Sequence, residues 1–137
     1  MILLSIMLIG LGLSSTVTAT GGGFDDGFFK VKGKEIGYDA DFGYNEKTGK
    51  DNKNEILIAF FCWDKNYEKL LFGKDYLIKK SGNEVKSYSL KYDKKGSEIS
   101  RTYLDTYKTS MTCKNFYYKT FKPVIIKKTK LDATKVL

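Results

Sequence analysis

Glu35-Ile36-Gly37-Tyr38-Asp39-Ala40-Asp41-Phe42-Gly43-Tyr44 alternates without a break. Ile36, Tyr38, Ala40, Phe42 and Tyr44 share one parity, and Glu35, Gly37, Asp39, Asp41 and Gly43 share the other. Successive side chains of a strand point to opposite faces, so this stretch reads as a β-strand with one aromatic face and one acidic or glycine face. Such a strand is half-buried and belongs in an antiparallel sheet.

The neighbouring segments extend that reading. Upstream, Phe28-Phe29-Lys30-Val31-Lys32 is a short strand ended by Gly33. Downstream, after a polar loop from Asn45 to Asn54, Ile56 to Trp63 runs apolar without interruption. Unbroken apolarity over strand length implies a central strand covered on both sides. Tyr76–Lys80, Glu84–Tyr92 and Ile99–Tyr107 are strand-like and are joined by Ser81-Gly82-Asn83 and Asp93–Ser97. Short glycine-containing connections of this kind signal hairpins. Two last strands are expected at Thr112–Phe121 and Val124–Lys130. Pro123, the single proline, marks an edge or a strand start, because it has no N–H to donate.

These segments predict an all-β fold: one small antiparallel β-sandwich-like domain of about six to eight strands. The alternative is α+β with two short helices. One would span Asp64–Phe72, where Trp63, Tyr67, Leu70 and Leu71 fall at helical spacing, Asp64 caps the start and Gly73 the end. The other would span Ile99–Met111, through Leu104, Tyr107 and Met111.

Met1 to Leu13 is apolar and uncharged and leads to Ser14-Ser15-Thr16-Val17-Thr18-Ala19. An apolar core of that length with a small-residue exit reads as a signal peptide cleaved after Ala19. The expected organisation is therefore a signal peptide at 1–19, a flexible leader at 20–27, one β-rich domain at 28–130 and a tail at 131–137. Export predicts a secreted protein, extracellular or periplasmic if the source has two membranes. An oxidising compartment predicts that Cys62 and Cys113 form one disulfide. Its loop of about 50 residues corresponds to ~4 kcal/mol in the chain-entropy treatment. No later run is apolar enough for a transmembrane segment, and no cysteine near the cleavage point suits lipidation.

Histidine is absent. That excludes imidazole general bases, Ser–His and Cys–His pairs, and imidazole metal ligands. No nucleotide-binding glycine motif occurs, so no cofactor is expected. The net charge is +8, and all but one of the 24 basic residues are lysines, Arg101 being the exception. Lysine is a point charge and arginine a planar fork. This balance favours diffuse attraction to polyanions over sequence-specific recognition of nucleic acid.

Four groups of residues suggest sites. Lys127, Lys128 and Lys130 form a basic cluster suited to a polyanion such as a glycan or an anionic surface; on an edge strand the same lysines would deter aggregation. Asp39 and Asp41, with Glu35 nearby and Asp25-Asp26 upstream, point one way on a strand but are too few to complete a calcium shell. Asp51 to Glu55 lacks the spacing of a calcium loop, so no metal is expected. Phe116-Tyr117-Tyr118 and Phe121 are the densest aromatic group, suited to core or to stacking on sugars and unpaired bases. The functional reading is a secreted, non-enzymatic binding protein that engages an extracellular protein or a polyanionic surface. A cationic toxin or antimicrobial protein acting on membranes is the alternative, and a small carboxylate-dependent hydrolase ranks third.

Overall fold

The structure is a computed structural model that describes residues 24–45, 50–51 and 53–137. The signal peptide read at 1–19, the first leader residues and part of the polar loop lie outside these residues.

One six-stranded antiparallel sheet and one C-terminal helix make the fold. The strands are β1 (Phe24–Val31), β2 (Lys34–Asp41), β5 (Glu55–Trp63), β6 (Leu70–Ser81), β7 (Glu84–Tyr92) and β8 (Glu98–Lys108). They lie in the order β1-β2-β5-β6-β7-β8, an open meander with β1 and β8 as its edges. Between β2 and β5, β3 (Tyr44–Asn45) and β4 (Lys50–Asp51) pair as a separate two-stranded ladder.

Alternation along the strands assigns the two faces. Ile36, Ala40, Ile56, Ile58, Phe60, Cys62, Tyr76, Ile78 and Val85 turn to the inner face and are buried. Register keeps them together: Ala40 faces Ile58, Ile58 faces Tyr76, and Ile56 faces Ile78. The chain from Cys113 to Val136 covers this face. It runs as α1 (Cys113–Phe116), a π turn (Tyr117–Phe121) and α2 (Lys122–Val136), 24 residues in one rod. At 1.5 Å per residue the rod is about 36 Å long. Thr112 caps it, its side-chain oxygen accepting from the Asn115 N–H at 3.1 Å. Cys113, Phe116, Tyr117, Phe121, Ile125, Thr129 and Ala133 make its buried stripe.

This corrects the sandwich expectation: the fold is α+β, and a helix takes the place of a second sheet. The two strands expected at Thr112–Phe121 and Val124–Lys130 are that helix, and the helix continues through residues expected to be a loose tail. Their β-branched and aromatic residues favour strand locally. The apolar inner face needs a covering layer, and packing outweighs propensity. Pro123 sits at the start of α2. The π turn lies just before it, with the Lys122 N–H reaching the Tyr117 carbonyl. A widened turn accommodates a ring that would otherwise press on the carbonyl four residues back.

The alternative helices are corrected too. Asp64–Lys69 is a loop and Leu70–Ser81 a strand; Glu98–Lys108 is the edge strand β8. Phe24–Gly27, expected in the leader, already belongs to β1, paired from Phe24↔Asp41 onward.

The disulfide is absent; Cys62 and Cys113 are free and buried. Cys62 lies at the end of β5, within the field of Lys34 and Glu35. Cys113 begins the helix, within the field of Lys80 and Glu55. Glu55 and Cys62 are opposite ends of one strand, about 23 Å apart at 3.3 Å per residue. A disulfide requires Cα atoms within about 7 Å. Burial pushes the Cys62 thiol up from its ordinary range and the Cys113 thiol up to about 11.

Candidate functional site

The helix carries a concentration of charge. From Cys113 to Val136 it holds seven lysines and a single acid, Asp132. Most of the chain's net charge of +8 therefore sits on this one element. The three lysines singled out in the sequence lie on α2 and not on a strand, so their facing changes. At 3.6 residues per turn Lys127 and Lys130 are near neighbours, and Lys128 points away from Lys130. Lys130 places its Nζ 5.3 Å from the centre of the Phe29 ring, and Lys128 approaches Asp132 at 3.3 Å. Lys119, Lys127, Lys128 and Lys135 are exposed along the outward side.

Lys122 has a different job. Its Nζ donates to Asp25 at 2.7 Å, and the Tyr117 hydroxyl donates to the same carboxylate oxygen at 2.8 Å. The ammonium also lies 5.2 Å from the Tyr38 ring centre and 5.6 Å from that of Tyr118. Burial opposes its charge, but hydrogen bonds to Asp25 and Tyr38 outweigh that and hold its pKa above the ordinary value. Burial and then the Asp25 bond push the Tyr117 hydroxyl well above its usual range. A lysine held cationic and a tyrosine held neutral form a clasp between helix and edge strand, and neither is poised as a base. Phe116, Tyr117 and Phe121 of the aromatic group are core, while Tyr118 is partly exposed beside the clasp.

The opposite face of the sheet has no second layer among the described residues. Leu57, Leu77 and Tyr88 line up across it, with Leu77 buried by its neighbours on that face. Asp39 and Asp41 lie here, and Asp26 pairs opposite Asp39. Burial, and next the Asp26 charge, raise the Asp39 carboxyl above its usual range. No group of acids, cysteines or histidines among the described residues is arranged to hold a metal ion.

Antiparallel order brings three connections to one rim: Lys32-Gly33 after β1, Asp64–Lys69 after β5 and Asp93–Ser97 after β7. The helix ends at the same rim. Lys122 meets Asp25 near the start of β1, and Lys130 meets Phe29 nearer its end, so α2 climbs toward the turns. Lys32, Lys34, Lys65, Lys69, Lys94 and Lys95 populate the three connections and their borders.

Two of these connections share a plan. In the first, Asp64 Oδ1 accepts from the N–H groups of Asn66 at 3.1 Å and Glu68 at 2.9 Å, and the Tyr67 N–H reaches the Asp64 carbonyl at 3.0 Å. In the second, Asp93 Oδ1 accepts from Lys95 and Ser97, both at 2.9 Å, and the Gly96 N–H reaches the Asp93 carbonyl at 3.1 Å. The fourth residue has left-handed backbone in both: Tyr67 at φ +57° and Gly96 at φ +85°. Glycine accepts that conformation freely, and a bulky residue there is an outlier. Tyr67 is also the most exposed large aromatic residue among the described residues, at 79%. Trp63 at 45% and Leu70 at 46% flank it. The sequence missed this feature because Asp64 read as a helix cap. The signal was available in the repeat of Asp-Lys before each fourth residue.

Comparison with known proteins finds no match: no family model, no curated protein and no solved structure resembles the chain.

Proposed function

We propose that this is a non-enzymatic binding protein that acts after export and docks on a polyanionic surface. The observation that carries the reading is the gathering of seven lysines and one acid on the C-terminal helix. One side of that helix is committed to the core, which leaves Lys119, Lys127, Lys128 and Lys135 exposed on the rest of its surface. Charges within about 8 Å of one another act jointly at physiological ionic strength, whereas scattered ones are screened. At 1.5 Å per residue Lys127 and Lys128 share one field, and Lys119 and Lys135 extend the basic stripe about 12 Å and about 11 Å beyond them toward the two ends of the helix. The clasp of Asp25, Tyr117 and Lys122 supports the reading by fixing the helix on the sheet, so that its lysines are presented rigidly. Export rests on the apolar segment Met1–Leu13 and its small-residue exit.

The test compares two sets of four lysines. Lys119, Lys127, Lys128 and Lys135 are changed to Gln in one variant. Lys30, Lys79, Lys86 and Lys108, exposed on the sheet, are changed in the other. Both lose the same charge. The reading expects the helix variant to elute from heparin at much lower salt than the sheet variant, because each neutralised anion releases a counterion. Equal losses would make the attraction diffuse and contradict a docking face. Release of contents from anionic vesicles by the unaltered protein would favour the membrane-lytic alternative.

A further inference from the structure

We infer that the loop from Trp63 to Leu70 is an apolar anchor that seats in the interfacial layer of an anionic lipid bilayer. The inference deepens the docking reading above and rests on it, naming the polyanionic surface as a membrane.

The first ground is what the loop displays. Trp63, Tyr67 and Leu70 are all substantially exposed, within eight residues, and Lys65 and Lys69 lie between them. Tryptophan and tyrosine combine an apolar ring with a polar tip, and they settle where hydrocarbon meets headgroups. Lysines buried to their stems in that layer keep their ammonium groups among the phosphates. An anionic leaflet attracts each basic residue held near its surface.

The second ground is the backbone. Tyr67 occupies a position whose counterpart in the twin turn is Gly96. The loop's hydrogen bonds come from Asp64 and from main-chain groups, and they would form equally with glycine in that place. The ring itself packs against little, being nearly as exposed as in a free chain. A strained, exposed tyrosine where glycine suffices contributes nothing to the fold that glycine would not. Strain of this kind is retained where another role requires the side chain.

The third ground is placement. The loop stands on the rim where the basic helix ends, beside Lys32, Lys34, Lys94 and Lys95. Leu131 and Val136 are exposed toward the end of the same helix. A planar anionic surface meeting this rim would touch lysines and the ring of Tyr67 together. A bilayer takes the ring into its apolar layer and pairs with the lysines, whereas a highly sulfated glycan draws on the lysines first.

The test is Tyr67→Gly in the protein in the form the cell produces, read three ways. Co-sedimentation with vesicles of phosphatidylcholine and phosphatidylglycerol should weaken about tenfold, a change of the size one aromatic anchor supplies. Elution from heparin should stay unchanged, since no charge is lost. The melting temperature should hold or rise, because glycine relieves the left-handed backbone. Unchanged vesicle binding with unchanged heparin elution would overturn the anchor while leaving the helix reading intact. A parallel loss on heparin would assign Tyr67 to glycans and also overturn it. Failure of the unaltered protein to bind either probe would remove the docking reading itself. A fall in melting temperature would show that the ring serves the fold, and the argument from strain would fail.

Discussion

The rim carries one turn twice, and the two copies differ where it matters. Asp64-Lys65-Asn66-Tyr67-Glu68 and Asp93-Lys94-Lys95-Gly96-Ser97 agree in the aspartate, in the lysine after it and in the N–H groups that the aspartate gathers. They agree in the left-handed fourth residue. One copy fills that position with glycine, as hairpin geometry alone asks. The other fills it with an exposed tyrosine. The fold therefore needs the turn in both places, and it needs the ring in neither.

Exchanging the residues at the fourth position gives the largest effect. Left-handed backbone costs an ordinary residue about 1–2 kcal/mol. Gly96→Tyr should destabilise the protein by that amount, measured by urea titration, because φ +85° lies beyond the left-handed well near 57°. The reverse change, Tyr67→Gly, should gain less than ~1 kcal/mol, since Tyr67 already sits at φ +57° and glycine brings extra unfolded-state entropy. If both exchanges prove neutral, the twin turns are equivalent and strain singles out neither. Gly96→Tyr should also raise binding to anionic vesicles, by adding a second ring to the same rim.

Acid acts on the Tyr67 turn more gently. The Glu68 N–H, foremost among several backbone donors, holds the Asp64 carboxyl below its ordinary range. A depressed carboxylate contributes stability that is complete above its unfolded pKa of about 3.9 and is lost as pH falls through the folded value. The Tyr67 loop should therefore hold its shape at pH 5 and loosen below pH about 4, seen as a change in Trp63 emission before the main unfolding step. Asp64→Asn should remove that early change. The smallest effect belongs to the lysines after the two aspartates. Lys65→Gln and Lys94→Gln should each shift stability by no more than about 0.5 kcal/mol, and should lower vesicle binding by similar small factors.

The sheet was legible where one face is wet. The alternation from Glu35 to Tyr44 assigned Ile36, Tyr38, Ala40, Phe42 and Tyr44 to one face of a single strand; Ile36, Ala40 and Phe42 are buried and Tyr38 packs against the core, but β2 ends at Asp41 and Tyr44 belongs to β3. Ser81-Gly82-Asn83 and Asp93–Ser97 marked two hairpins that β6, β7 and β8 form. The apolar run of β5 misled, because Leu57 on its other side is 38% exposed and no layer of the described residues covers it. The helix was hidden for a physical reason. Its buried stripe includes Thr129, Ala133 and Cys113, and its exposed side includes Val124, Leu131 and Val136, so neither period stands out. Thr129 survives in the core because its hydroxyl donates to the Ile125 carbonyl at 2.7 Å. What makes the segment helical is the inner face of a sheet formed by distant residues, which no window along the chain contains. The disulfide expectation failed likewise: spacing along the sequence says nothing of which end of β5 each thiol occupies. Mass spectrometry after alkylation in denaturant without reductant should find both Cys62 and Cys113 modified; a linked pair would refute this placement.

If the rim loop meets a bilayer, the chain supplies its own reporter. Trp63 is the single tryptophan and borders Tyr67's loop. Its emission should shift to the blue, and brominated acyl chains should quench it, when vesicles containing phosphatidylglycerol are added at low salt. Vesicles of phosphatidylcholine alone should leave it nearly unchanged. Emission that stays constant with anionic vesicles while the protein co-sediments with them would mean that it docks by charge alone, with the loop in water, and would contradict the account.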